Sequence, residues 1–95
     1  MVCGAVTLDA AARVCTVSGE AVKLSPREFE LLRCLMRNKG RVLSREQLLD
    51  KVWGLDFEGG DRAVDARIRG LRAAVGGAGG QIKTVFKSGY RLEEV

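Results

Sequence analysis

The sequence predicts an α+β fold, with an N-terminal antiparallel sheet, a three-helix core and a C-terminal β-hairpin. Three observations carry that prediction. Short alternating apolar runs fill residues 1–24. Two capping-box motifs, at Ser25 and Ser44, each open a helical stripe. Two apolar runs, "QIKTVF" and "YRLEEV", flank "KSG" near the C-terminus.

In the first 24 residues, "AVTL", "RVCTV" and "AVKL" alternate and are split by "DAAA" and "SGE". Alternation broken by turn residues implies an antiparallel meander with one face on a core. "SPREFELLRCLMRNKG" then starts a helix. Ser25 can accept from the backbone N–H of Glu28, Glu28 can reach back to the N–H of Ser25, and Pro26 falls where its missing N–H costs nothing. Phe29, Leu32, Leu35 and Met36 make the stripe, which Gly40 ends. "SREQLLDKVWG" repeats the device with Ser44 and Gln47, the stripe Leu48, Leu49 and Val52, and Gly54 as stop. The link "GRVLS" is short, so the two helices pack closely, with Val42 and Leu43 available for a brief strand. "GLDFEGG" reads as a surface loop, and "GGAGG" as the connector before the hairpin.

The third helix is "DRAVDARIRGLRAAVGG". At about 100° per residue, Val64, Ile68, Leu71 and Val75 fall within about 60° of one another and form the core face. Arg62 and Arg69 lie near the far side, beside Ala66 and Ala73. Arg67 and Arg72 flank the stripe. Ala63, Ala66, Gly70 and Ala73 keep the outward face low, so another surface can come close while arginines reach past. A B-DNA major groove, about 12 Å wide, admits such a helix, and arginine pairs with guanine or grips phosphate there. A solvated helix face is the alternative. Asp65 and Arg69 are spaced i,i+4, which offers Arg69 a local ion pair worth only about 0.2–0.5 kcal/mol. Arg62 and Arg67 have no such local partner.

Length and composition set the limits. The 95 residues allow one domain, residues 1–95, divided into a sheet (1–24), three helices (25–76) and a hairpin (81–93). No stretch approaches the ~18 apolar residues of a membrane span, and no basic region precedes an apolar run at the N-terminus. The expected location is the cytoplasm, with no membrane partner. Cys3, Cys15 and Cys34 are an odd set without C-x-x-C, and histidine is absent, so neither metal nor cofactor is expected. The acidic residues fall at caps, ion-pair spacings and loops, and no nucleophile–base pairing is visible, so an enzyme is not expected. Net charge is +4, but unevenly placed: residues 1–61 are neutral, residues 62–91 carry +6 and residues 92–95 carry −2. A basic C-terminal third suits a face that meets a polyanion.

Two tightly linked helices, a basic third helix and a hairpin make a helix-turn-helix with a wing. "LSPREFELLRCLMRNKGRVLSREQLLDKVWG", "DRAVDARIRGLR" and "IKTVFKSGYRL" resemble the OmpR/PhoB-type effector domain of bacterial two-component response regulators. The likeness runs from about Val6 to Leu92, with the segments in family order and spacing. It implies a four-stranded N-terminal sheet and a phosphorelay-controlled transcription regulator. It also implies promoter DNA bound by a head-to-tail homodimer on direct repeats.

By position, the resemblance makes Arg62, Arg67 and Arg72 base or phosphate contacts, and puts Ala66, Arg69 and Gly70 of the same helix in the DNA-binding surface. Arg45 and Trp53 become backbone contacts from the second helix, although Trp53 also suits a core or rim aromatic. Thr84 and Lys87 become wing contacts. Leu55, Asp56, Phe57 and Glu58 match the loop that approaches RNA polymerase, or they form a plain connector. The family also carries a receiver domain, fed by a sensor kinase. This chain lacks the length and acidic cluster for one and reads as an isolated output domain. Two positions depart from the pattern. Gly70 replaces a residue that is basic in many members. Phe86 replaces a common wing arginine, and it is left either to cover the core or to wedge against a sugar. These departures also leave open a protein-interaction module that no longer reads DNA.

Overall fold

The computed structural model describes residues 1–55 and 57–94. Strands β1 (Val2–Cys3), β2 (Val6–Asp9), β3 (Val14–Val17) and β4 (Glu20–Val22) form one sheet in that order. All three pairings are antiparallel, with Cys3 opposite Val6 and Leu8 opposite Cys15. The alternation has its expected effect: Cys3, Val6, Leu8 and Cys15 point into the core. The meander pattern yields β2 to β4. β1 has only two residues, too short to show a period.

Helix α1 (Pro26–Arg37) starts with the reciprocal capping box, Ser25 Oγ accepting from Glu28 N–H at 3.2 Å and Glu28 Oε1 from Ser25 N–H at 2.9 Å. Helix α2 (Arg45–Leu48) has the same box between Ser44 and Gln47. It is shorter than the sequence predicts. From Leu49 to Trp53 the backbone widens into a π-helical turn, closed by Gly54 N–H on Leu49 C=O at 2.9 Å. The carbonyl of Val52 accepts from Arg27 Nη1 of α1 at 2.8 Å, a bond that ties the turn to its neighbour.

Helix α3 (Arg62–Val75) buries Val64, Ile68, Leu71 and Val75, the face given by its period. The "GGAGG" segment is a 3₁₀ stretch, Gly76–Gln81, rather than an open loop. Within it Gln81 is 3% exposed. Its amide donates to Cys3 C=O at 2.9 Å and Glu93 C=O at 3.2 Å, so the first strand and the C-terminus share one satisfied polar group.

Strands β5 (Ile82–Val85) and β6 (Gly89–Leu92) form the hairpin. Its turn is Phe86-Lys87-Ser88, closed by Ser88 N–H on Val85 C=O at 2.9 Å, with Lys87 at φ 60°. The brief strand expected at Val42–Leu43 is a single bridge, Leu43 with Tyr90, bonded both ways at 2.8 and 2.9 Å. It lies against Gly89, at φ 136°, where an added Cβ would run into the Leu43 carbonyl. Only glycine fits both that conformation and that approach. The fold is therefore a winged helix: a sheet, three helices and a wing stitched to the linker between α1 and α2.

Candidate nucleic-acid interface

The outward side of α3 is open. Arg62, Ala66, Arg67, Arg69 and Ala73 are exposed. Among the described residues, the Arg62 and Arg67 guanidiniums have neither an ion-pair nor a hydrogen-bond partner. The helix thus puts its apolar stripe inward and presents arginine and methyl groups outward.

Asp65 does not pair with Arg69 as the i,i+4 spacing suggests. Its Oδ1 accepts from Arg45 Nε at 2.7 Å and from the Tyr90 hydroxyl at 2.6 Å. Burial pulls the Asp65 carboxyl up. The hydrogen bonds from Tyr90 and Arg45 and the charges of Arg45 and Arg69 outweigh that and hold it below its ordinary value. Arg69 therefore acts on Asp65 through its field, while its side chain stays in solvent. Burial, then the bond to Asp65, pushes the Tyr90 phenol up.

Two arginines expected to face DNA are engaged inside the protein. Arg45 is bound to Asp65, and its guanidinium lies 5.3 Å from the Tyr90 ring centroid. Arg72 sits on the flank that faces the wing. Its Nη2 donates to Ile82 C=O at 2.7 Å and to Thr84 Oγ1 at 2.9 Å, while Nε reaches the same carbonyl at 3.2 Å. Thr84 and Lys87 are exposed on the wing, Thr84 with this one internal partner. Asp65, Arg45, Tyr90 and Arg72 form a latch joining α2, α3 and the hairpin. Its long-range partners lie beyond the reach of local spacing.

Gly70 is half-buried, not on the outward crest. An added Cβ would stand 2.5 Å from Glu28 Oε2, so glycine lets the α1 capping box sit close to α3. Trp53 is half-buried against the core, its ring 5.3 Å from the Arg27 guanidinium and 6.0 Å from the Phe57 ring. In the loop after it, Leu55 is 84% exposed, and Phe57 and Glu58 also face solvent. Asp56 lies outside the described residues. Phe86, at the wing tip, is 83% exposed, which excludes a role in covering the core.

The cysteines are free thiols, with Cys3 and Cys15 buried and Cys34 half-buried. Burial pushes the Cys34 thiol up despite the nearby charges of Lys51 and Arg37. Among the described residues, no helix is long and apolar enough to cross a membrane.

A sequence profile described as "Transcriptional regulatory protein, C terminal" matches residues 19–92. The chain is 40% identical over 93 residues to the sensory transduction protein RegX3 of Mycobacterium tuberculosis (strain ATCC 25618 / H37Rv), covering 95% of this chain and 41% of RegX3. It is 47% identical over 90 residues to the transcriptional regulatory protein TrcR of the same strain, covering 94% of this chain and 35% of TrcR. The chain therefore spans well under half the length of these regulators. Among solved structures, the Klebsiella pneumoniae RstA DNA-binding domain in complex with the RstA box superposes with a TM-score of 0.87 at 33% identity, covering 98% of this chain and 95% of that one.

Proposed function

The chain belongs to the family of transcriptional regulatory protein C-terminal domains, the OmpR/PhoB-type DNA-binding output domains of two-component response regulators, and from that premise we propose how it engages DNA. Helix α3 lies in the major groove of promoter DNA, with Arg62 and Arg67 reaching bases or phosphates and Ala66 and Ala73 allowing close approach. The wing lies over the flanking minor groove or backbone. Arg45 and Arg72 act mainly by holding α2, α3 and the wing in register. The observation that carries this reading is the open outward face of α3, with unpartnered arginines opposite a fully buried apolar stripe. The likeness to the RstA DNA-binding domain, solved in complex with the RstA box, supports DNA as the partner.

In the whole regulator, two such domains bind head-to-tail on a direct repeat. A receiver domain answering to a sensor kinase controls that binding. The loop with exposed Leu55, Phe57 and Glu58 meets RNA polymerase. Binding, not turnover, is the activity proposed.

The test is a fluorescence-anisotropy titration on a duplex selected by the wild-type chain from a randomised pool. Arg67→Ala is expected to weaken binding by about 1–3 kcal/mol. If Arg67 holds a phosphate, the slope of log affinity against log salt also shrinks by about 0.9. A wild-type chain that selects no sequence, or an Arg67→Ala variant that binds as tightly as the parent, overturns the proposal.

A further inference from the structure

We propose that Phe86 is an apolar wedge that enters the minor groove at a base step and gives the wing its own sequence preference. The inference rests on the DNA-binding reading above and adds to it a mode of contact and a residue that sets specificity.

Three observations carry it. Phe86 is 83% exposed, in the turn at the end of a two-stranded projection. Lys87, in a left-handed conformation at φ 60°, brings its ammonium to 5.4 Å from the Phe86 ring centroid. The tip therefore pairs one flat apolar surface with one cation. Finally, the strands that carry the turn are held in place: Arg72 bonds to Ile82 and Thr84 on one strand, and Leu43 to Tyr90 on the other.

A braced hairpin ending in an exposed ring beside a positive charge matches the chemistry of a minor groove. Its walls are the two sugar–phosphate backbones and its floor is formed by base edges. Apolar side chains that enter there unstack a base step and bend the duplex toward the major groove. Lys87 supplies the phosphate contact and Phe86 the wedge. The unstacking is easiest at pyrimidine–purine steps, so the preferred site carries TA or CA/TG under the wing rather than a stiff A-tract.

The experiment uses the selected duplex above, with gel-shift bending assays alongside affinity. Phe86→Ala is expected to weaken binding by about tenfold, equivalent to about 1.4 kcal/mol, to leave the salt slope unchanged and to reduce the bend. Phe86→Leu keeps most of the bend. Lys87→Ala lowers the salt slope by about 0.9 with the bend retained. Replacing the flexible step by an A-tract weakens the wild-type chain and leaves Phe86→Ala unaffected. A Phe86→Ala variant with parental affinity and bend overturns the wedge, as does a loss equal on both duplexes. Arg67→Ala separates the two claims. If it weakens binding while Phe86→Ala does not, only the wedge fails. A wild-type chain that selects no site removes both.

Discussion

The Tyr90 hydroxyl, on the wing, donates to the Asp65 carboxylate of α3 at 2.6 Å, and the same oxygen accepts from Arg45 of α2. One carboxylate among four arginines thus fastens three elements together. Asp65→Ala leaves the Tyr90 phenol and the Arg45 Nε without their partner. It is expected to lower unfolding free energy by about 1–3 kcal/mol in urea titrations, with Tyr90→Phe about 1 kcal/mol. The double variant should lose less than the sum of the two.

The same pair sets a pH dependence. Folding lowers the pKa of Asp65, so its contribution is complete above the unfolded value, near 3.8, and is lost as pH falls through the lower folded value. Folding raises that of Tyr90, so its contribution is complete below the unfolded value, near 10.0, and is lost as pH climbs through the higher folded one. Thermal melts across pH should show the acid limb of stability become shallower in Asp65→Ala.

Arg72 offers a test of position against contact. Its donors already serve Ile82 and Thr84. Arg72→Ala is expected to cost about 1–2 kcal/mol of stability and to speed hydrogen exchange across Ile82–Val85. DNA affinity should fall with the salt slope unchanged. A smaller slope would mean that Arg72 gives up the wing to hold a phosphate.

At Gly89 a methyl group collides with the Leu43 carbonyl in a backbone conformation that side chains avoid. Gly89→Ala should destabilise by about 3 kcal/mol or more. The loss should be visible as a lower urea midpoint and as lost protection of the Leu43 and Tyr90 amides.

Gly70 sets two terms against each other. Alanine within a helix is better than glycine by about 1 kcal/mol. Its Cβ must also displace the Glu28 carboxylate, whose other oxygen accepts from Ser25 N–H, a bond worth about 1 kcal/mol. Gly70→Ala should therefore be close to neutral alone. In a Glu28→Ala background it should stabilise by the full helical gain, as read by chemical denaturation.

The sequence makes the helices and the wing legible because their signals are local. Ser25, Pro26 and Glu28 lie within four residues and announce α1. Val64 to Val75 repeat with the helical period and announce the buried face of α3. The π-helical turn at Leu49–Trp53 is not legible, because five residues carry the same apolar spacing in either winding. The partners of Asp65 lie 20 and 25 residues away. The i,i+4 spacing points to Arg69, the nearest cation on the helix, and carries no sign of the tertiary geometry that turns the carboxylate toward α2 and the wing. The helical wheel puts Arg72 on a flank of the stripe and Gly70 on the outward face, but it does not show that the wing covers the first and α1 the second.

The outward crest of α3 takes almost no part in holding the molecule together. Substitutions at positions 62, 66, 67 and 73 leave the buried stripe, the latch and the bridge untouched. Under the proposed docking, such a scaffold can acquire a new operator vocabulary one letter at a time without becoming harder to fold.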